Sequence, residues 1–435
     1  MGSSLLTTPT TAFRHVDGRL FCEGVPIDEL AARHGTPLYV YSSMTIVERY
    51  RELARAFGAP QTLIAYSVKA NGNLSVLRLL AAEGAGADIV SGGELVRVLR
   101  AGIPPERIVF SGVGKTAVEM REALAAGILA FNVESEGELR LLSTVAAARG
   151  ATASIALRVN PDIETPTPHH YTRTGHRATK FGIPIDDALR LYRLATELPG
   201  LRVLGVDVHI GSQILEVSPY RRALERVLEL IATLESSGIE LDYLDAGGGF
   251  GVTYDENADI PAQVFADAIV PLIRGAGLRL IIEPGRYIVG PAGILVTRVL
   301  YVKRSAEKTF VITDAGMNDL LRPSHYSSYH RVEEVILHRD RESVRADVVG
   351  PVCETGDFLA LDRPMPLPEP GEMLAVGTVG AYGFAMASTY NARPRPAEVM
   401  VRGAHSSEIR RRETYADLIR SEEDFLDDAR SAQTE

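Results

Sequence analysis

The sequence predicts an α/β protein: a (β/α)8 barrel of the TIM type, with a C-terminal, mainly β domain of sandwich or barrel-like form that also takes in the N-terminal segment. Three observations point there. Between about residues 60 and 290 one unit returns eight times: a short β-branched, apolar run, a polar or Gly-rich corner, then an Ala/Leu/Glu/Arg segment with helical spacing. Nearly every run ends in a reactive residue or a glycine. After about residue 290 helical spacing gives way to Val/Ile/Thr-rich runs broken by Gly, Pro and Asp. The expected division is 44–290 for the barrel, and 1–43 with 291–435 for the β domain.

Taken in order, the first strand signal is Leu38 to Tyr41, ahead of the barrel. The barrel runs are Leu63 to Val68, Ala87 to Ser91, Arg107 to Ser111, Ile128 to Val133, Ser154 to Val159, Val203 to His209, Leu241 to Ala246 and Arg279 to Glu283. Between them, Gly92 to Ala101, Ala117 to Ala126, Glu136 to Arg149 and Tyr220 to Ser237 repeat Leu, Ile or Val at three and four residues, as one helix face requires. An open doubly wound sheet is the rival arrangement. The corners favour closure: nearly every strand run ends in a reactive or phosphate-friendly residue, namely Lys69, Asp88, Ser111, Glu134, Arg158, His209, Gly247 to Gly249 and Glu283, and only a barrel gathers all such ends around one mouth. Beyond the barrel, strands are expected at Gly293 to Val302, Thr309 to Asp314, Arg345 to Val349, Glu372 to Val379 and Ala397 to Arg402. The acidic tail Ser421 to Glu435 reads as a solvated end.

Composition excludes several function classes. With 46 Lys+Arg against 56 Asp+Glu the net charge is −10, the wrong sign for gripping nucleic acid or anionic lipid. Two cysteines, Cys22 and Cys353, cannot frame a chain of 435 residues with disulfides. No basic start leads into a long apolar stretch, and Ala375 to Tyr390, the least charged segment, is too short and too polar to span a bilayer. A soluble cytoplasmic protein is expected.

The corners then carry chemistry. Lys69 closes the first barrel run in Tyr66-Ser-Val-Lys-Ala-Asn71; taken alone, a lysine there reads as solvated. Leu244-Asp-Ala-Gly-Gly-Gly-Phe-Gly251 follows the seventh strand, where barrels often bind phosphate and where bare backbone N–H groups approach an anion. The eighth ends in Ile282-Glu-Pro-Gly-Arg-Tyr287, with a carboxylate and a guanidinium around a tight turn. A surface ion pair between Glu283 and Arg286 is the plainer reading. With His209 in Val208-His-Ile-Gly-Ser-Gln213, the mouth offers an amine, a phosphate cradle, a carboxylate and a flat ring, the groups that pyridoxal 5′-phosphate requires.

On these motifs, together with Arg158-Val-Asn-Pro, Lys180-Phe-Gly-Ile, Asp314-Ala-Gly-Met-Asn-Asp-Leu-Leu-Arg-Pro, Gly350-Pro-Val-Cys-Glu-Thr-Gly-Asp and Tyr390-Asn-Ala-Arg-Pro, the sequence resembles the barrel-type (fold type III) pyridoxal-phosphate decarboxylases. Within that group it is most similar to the diaminopimelate decarboxylase family. The matches run in order across roughly three-quarters of the chain.

The resemblance implies that Lys69 holds the cofactor covalently, Glu283 faces its ring nitrogen and His209 stacks on its ring. Ser212, Gly248, Gly249, the Pro284-Gly285-Arg286 turn and Tyr382 would fix the phosphate, with Asp88 and Arg158 as supporting contacts. Cys353, by composition a small buried apolar residue, becomes the proton donor after CO2 has left; Cys22 matches no motif and reads as structural. Arg286, Arg322, Tyr326, Glu354 and Tyr382 would hold the far end of diaminopimelate. The alternative is decarboxylation of another amino acid, or of a carrier-bound or polyamine precursor. No metal is implied. A homodimer sharing its active sites is implied, the segment with Cys353 and Glu354 completing the partner's barrel. Asp207-Val208 stands where the family commonly has His-Cys, and Pro168-His-His-Tyr171 and Ser324 to His330 are also atypical.

Overall fold

The computed structural model describes residues 12–58, 61–163, 169, 179–255, 257, 259–338 and 340–423. Most of the His169 to Lys180 loop, including three residues of the Pro168-His-His-Tyr171 motif, and the last twelve residues of the acidic tail lie outside them. The chain divides into two compact units, one of Ile46–Gly290 and one formed by the residues up to Thr45 with those from Pro291 onward.

In the first unit eight parallel strands close on themselves: Thr62–Ser67, Gly86–Ile89, Ile108–Phe110, Ala130–Val133, Ala153–Asn160, Leu201–Asp207, Tyr243–Asp245 and Arg279–Ile282, the last pairing with the first. The open-sheet alternative is thereby eliminated. The helices between them are bounded by their own side chains. Ser91 and Ser135 accept from the third backbone N–H of Gly92–Ala101 and Glu136–Ala148, and Thr116 forms a reciprocal capping box with Glu119 at Ala117–Ala126. Each such cap stabilises its helix by about 1 kcal/mol.

The barrel interior is layered. Ala65, Val109, Ala130, Ala156, Tyr243 and Ile281 fill its apolar layer. A strand returns to the same face every second residue, so two positions on from these stand Ser67, Ser111, Asn132, Arg158, Asp245 and Glu283, and Asp88 and Asp207 join from the other two strands. All eight are buried. One polar layer therefore lies at the carboxyl ends of the strands.

The second unit is built on a long strand, Gly293–Arg304, which pairs antiparallel with Leu38–Ser42 from the N-terminal segment and with Met373–Val376. Leu38–Ser42 also runs parallel to Ala397–Arg402. The sequence reading missed Phe358–Pro366 and His405–Arg410, which complete the sheet. Phe358–Pro366 has consecutive exposed residues where strict alternation is expected, because register shifts interrupt its pairing with Ser343–Val349.

Candidate active site

Lys69 lies in the single-turn helix Val68–Ala70 that follows the first strand. Its Nζ is 2.9 Å from Asp88 Oδ2; the lysine side chain is 38% exposed and that of Asp88 0%. The amine is thus anchored on a buried carboxylate while its side chain stays partly exposed. Ser67 Oγ lies 2.7 Å from the same carboxylate oxygen and 3.0 Å from the Glu283 carbonyl, so one hydroxyl ties the first, second and eighth strands together.

Glu283 Oε1 accepts from Ser111 Oγ at 3.3 Å and from Asn132 Nδ2 at 3.4 Å. Burial, then Asp245, Asp88 and Asp207, push its carboxyl up. His209 Nδ1 accepts the Gly248 N–H at 3.2 Å. Burial, with Arg158 and Lys69 nearby, holds this imidazole well below its usual range, so the ring is neutral.

The glycine run leaves no room for side chains. A Cβ on Gly248 would lie 2.0 Å from the Glu283 carbonyl oxygen, and one on Gly249, whose φ is +91°, 2.3 Å from that of Gly211. Arg286 donates to Ser212 Oγ at 3.0 Å and to the Tyr254 hydroxyl, and a Cβ on Gly285 would touch Ala70 and Ser67 at 3.0 Å. Glu283 and Arg286 are both buried; the surface ion pair does not describe them. Arg158 bonds Glu134 at 3.1 Å, approaches Asp207 at 3.9 Å and lies over the Phe181 ring. It balances acidic charge between the fourth, fifth and sixth strands.

These groups fit pyridoxal phosphate: a half-open primary amine, a neutral flat ring, a carboxyl at the end of the eighth strand, and a glycine cradle that any Cβ would fill. In the other unit Arg322 is buried, its guanidinium donating to His330 Nε2 at 3.3 Å and Ser328 Oγ at 3.2 Å and lying 5.7 Å from the Tyr326 ring. Cys353 is exposed, not buried as composition suggests; its loop is held by side-chain oxygens rather than by packing of the thiol: the Cys353 N–H donates to Asn391 Oδ1 at 2.8 Å, and Asp357 takes the Val352 and Met317 N–H groups, both at 2.6 Å. Glu354 is exposed beside it, and Tyr382 takes a positive φ of 58°.

Residues 43–290 match the model of the pyridoxal-dependent decarboxylases, pyridoxal binding domain. The chain belongs to this family. Over 404 residues this decarboxylase is 51% identical to the diaminopimelate decarboxylase of Aquifex aeolicus, covering 93% of the chain and 95% of the relative. The crystal structure of diaminopimelate decarboxylase from Helicobacter pylori complexed with L-lysine has a TM-score of 0.88 at 43% identity, over 92% and 99% of the two chains. The enzyme from M. jannaschii in co-complex with L-lysine has a TM-score of 0.90 at 38% identity, over 94% and 97%. The decarboxylase is thus a carboxy-lyase that uses pyridoxal phosphate, and its substrate is an amino acid.

Several residues that bond to the candidate site carry no motif signal. Asn132 on Glu283, Tyr254 on Arg286, and the buried Lys115, which bonds Glu138 and the Gly112 and Asn132 carbonyls at 2.7, 2.8 and 2.7 Å, belong to no glycine or histidine motif. The signal that finds Asn132 is the two-residue step from an apolar strand position to a polar one.

Proposed function

We infer that the chain decarboxylates meso-2,6-diaminopimelate to L-lysine and CO2, the last step of lysine biosynthesis. Its similarity to diaminopimelate decarboxylases along nearly the whole chain carries this reading. Pyridoxal phosphate, when bound, supplies the electron sink for the pair left by departing CO2. The chain's own residues do the rest. Lys69 would hold the cofactor through its Nζ, with Asp88 paired to that amine and Arg158 balancing the acidic charge nearby. His209 would stack on the ring, and Glu283 would face the ring nitrogen. Ser212, Gly248, Gly249, Arg286 and Tyr382 would hold the phosphate, Pro284 and Gly285 shaping the turn that carries Arg286.

Cys353 Sγ delivers the proton to the carbon that has lost CO2; an exposed thiol can reach a substrate where a buried one cannot. The far end of the substrate carries a carboxylate and an amine, which Arg286 and Arg322 on one side and Glu354 on the other complement in sign, with Tyr326 and Tyr382 as hydroxyl partners. The working unit is a cytoplasmic homodimer in which the Cys353–Glu354 segment serves the partner's barrel. No helix among the described residues is long and apolar enough to cross a membrane.

Purified protein given meso-diaminopimelate and cofactor should form lysine. Turnover of a different amino acid with no lysine refutes the substrate. Arg322→Leu should cripple a dicarboxylic substrate and spare a monocarboxylic one; equal loss on both argues against the distal-carboxylate role.

A further inference from the structure

Three of the barrel's inward carboxyls are neighbours. Asp207, Asp245 and Glu283 end the sixth, seventh and eighth strands, and one oxygen of each lies within 4.8 Å of the others. Register places them there: Asp207 pairs with Asp245, and Asp245 with Ile281, two residues before Glu283. Asp245 Oδ1 accepts the Gly247 N–H. Its Oδ2 and both oxygens of Asp207 are buried and accept no hydrogen bond, the Arg158 Nε standing 3.9 Å from Asp207 Oδ2. The Glu283 carboxyl is the neighbour within reach of Asp245, and two carboxyls can share a hydrogen bond only if one of them carries a proton.

The remaining charged and titratable groups around the triad are Lys69 and Asp88, Glu134 and Arg158, His209, and the Tyr192 and Tyr243 hydroxyls. Lys69 is already paired with Asp88, and Arg158 is shared between Glu134 at 3.1 Å and Asp207 at 3.9 Å. Fully ionised, the five acids Asp88, Glu134, Asp207, Asp245 and Glu283 would face two cations. At such spacing one carboxylate raises a neighbour's proton affinity by roughly two orders of magnitude at an intermediate dielectric. Burial acts in the same direction on all three members of the triad, whose proton affinities are all raised.

We propose that Asp207 and Asp245 are positioning residues that remain neutral carboxylic acids, keeping a proton on Glu283 for the ring nitrogen of the bound cofactor. The Glu283 O–H bond breaks and an N–H bond forms; the pair changes from neutral acid and neutral base to carboxylate and pyridinium, with no electron gained or lost. Asp245, still protonated, then donates to the carboxylate left on Glu283, and Asp207 remains neutral behind it. This rests on the assignment of Glu283 to the ring nitrogen.

Infrared spectroscopy of the native protein, with and without cofactor and with aspartate labelled by 13C in its side-chain carboxyl, tests the proposal directly. Near pH 7, label-sensitive carboxylic-acid bands should be present in both states. Their absence from both overturns it, whether or not any variant folds. Asp207→Asn and Asp245→Asn replace a neutral acid by a neutral amide that still donates. Each should bind cofactor within about threefold of the native protein at pH 7 and move the alkaline limb of the cofactor's absorbance titration by one unit or more. Folded variants with an unmoved limb overturn the proposal. Glu283→Gln should abolish the spectral signature of the protonated ring nitrogen. An unchanged spectrum in that variant, with the aspartic-acid bands still present, would remove the Glu283 assignment and the proton transfer built on it.

Discussion

Gly248→Ala probes the close approach of two backbones at the mouth of the barrel. The new Cβ would stand 2.0 Å from the Glu283 carbonyl oxygen and 2.9 Å from its carbon, where ordinary contact begins at 3.4 Å. The shortfall is 3.4 − 2.0 = 1.4 Å. It falls on backbone, which no rotamer change relieves. Either the glycine loop or the end of the eighth strand must move, and the Gly247 carbonyl is tied to the Glu283 N–H at 2.8 Å. Overpacking of this kind costs about 1–3 kcal/mol, and displacing a cofactor-facing group by about 1 Å can cost about 100-fold in function. The expected result is a lower melting temperature and cofactor affinity weakened by about 10- to 100-fold, read by equilibrium absorbance titration. Gly137→Ala, in a helix with open space around the added methyl, is the control and should bind cofactor normally. If Gly248→Ala also binds cofactor with native affinity, the glycine cradle does not require a bare backbone and the fit argument fails.

Lys69→Ala should abolish the cofactor's protein-bound absorbance band, while Asp88→Asn, which leaves the amine but removes its anion, should retain a band with altered pH dependence. In the native protein a thiol reagent should label Cys353 rapidly and Cys22 only on unfolding, since Cys22 is 0% exposed and burial pushes its thiol up; two fast thiols would contradict the placement. Cys353→Ala should shift stability by less than about 0.5 kcal/mol, as for a surface change, yet lose turnover; mixed with Lys69→Ala it should recover part of it. No recovery after proven subunit exchange would refute sites shared in trans. Burial raises Glu94 to about 7, so the folded apoprotein keeps a proton there that the unfolded chain releases near its ordinary value. That contribution is fully present below about pH 4.5 and is lost as pH rises through about 7. Glu94→Gln, which can still accept the Val90 N–H, should match the native protein at low pH and exceed its stability by about 1–3 kcal/mol above pH 7; equal pH profiles would refute the shift.

Much of this was legible locally. The helices Gly92–Ala101 and Ala117–Ala126 follow from apolar spacing between a Ser or Thr cap and a glycine, and the closing glycines take left-handed φ values of +92° and +74°. The glycine run and the Glu283-Pro-Gly-Arg286 turn were readable because positive φ and close approach admit few residues. Cys353 was not: nothing in its immediate neighbours tells whether its loop faces solvent, and Asp357 and Asn391, which hold that loop, lie outside the Cys353-Glu354 pair. Phe358–Pro366 was missed because its pairing is irregular, and alternation is a signal only where register is continuous.

The repeating strand and helix units, the cofactor motifs and the chemical types at the strand ends are local properties, because they depend on residues within a few positions of one another. What those residues meet follows from the closed fold. Closure of the barrel brings Ser67, Asp88 and Glu283 to one hydroxyl, and gathers Asp207, Asp245 and Glu283 within 4.8 Å across some seventy-five residues of chain. Coulomb energy depends on separation in space and on burial. A lone aspartate after an apolar run reads as an ordinary carboxylate; placed beside two others inside a closed barrel, it becomes an acid that holds its proton.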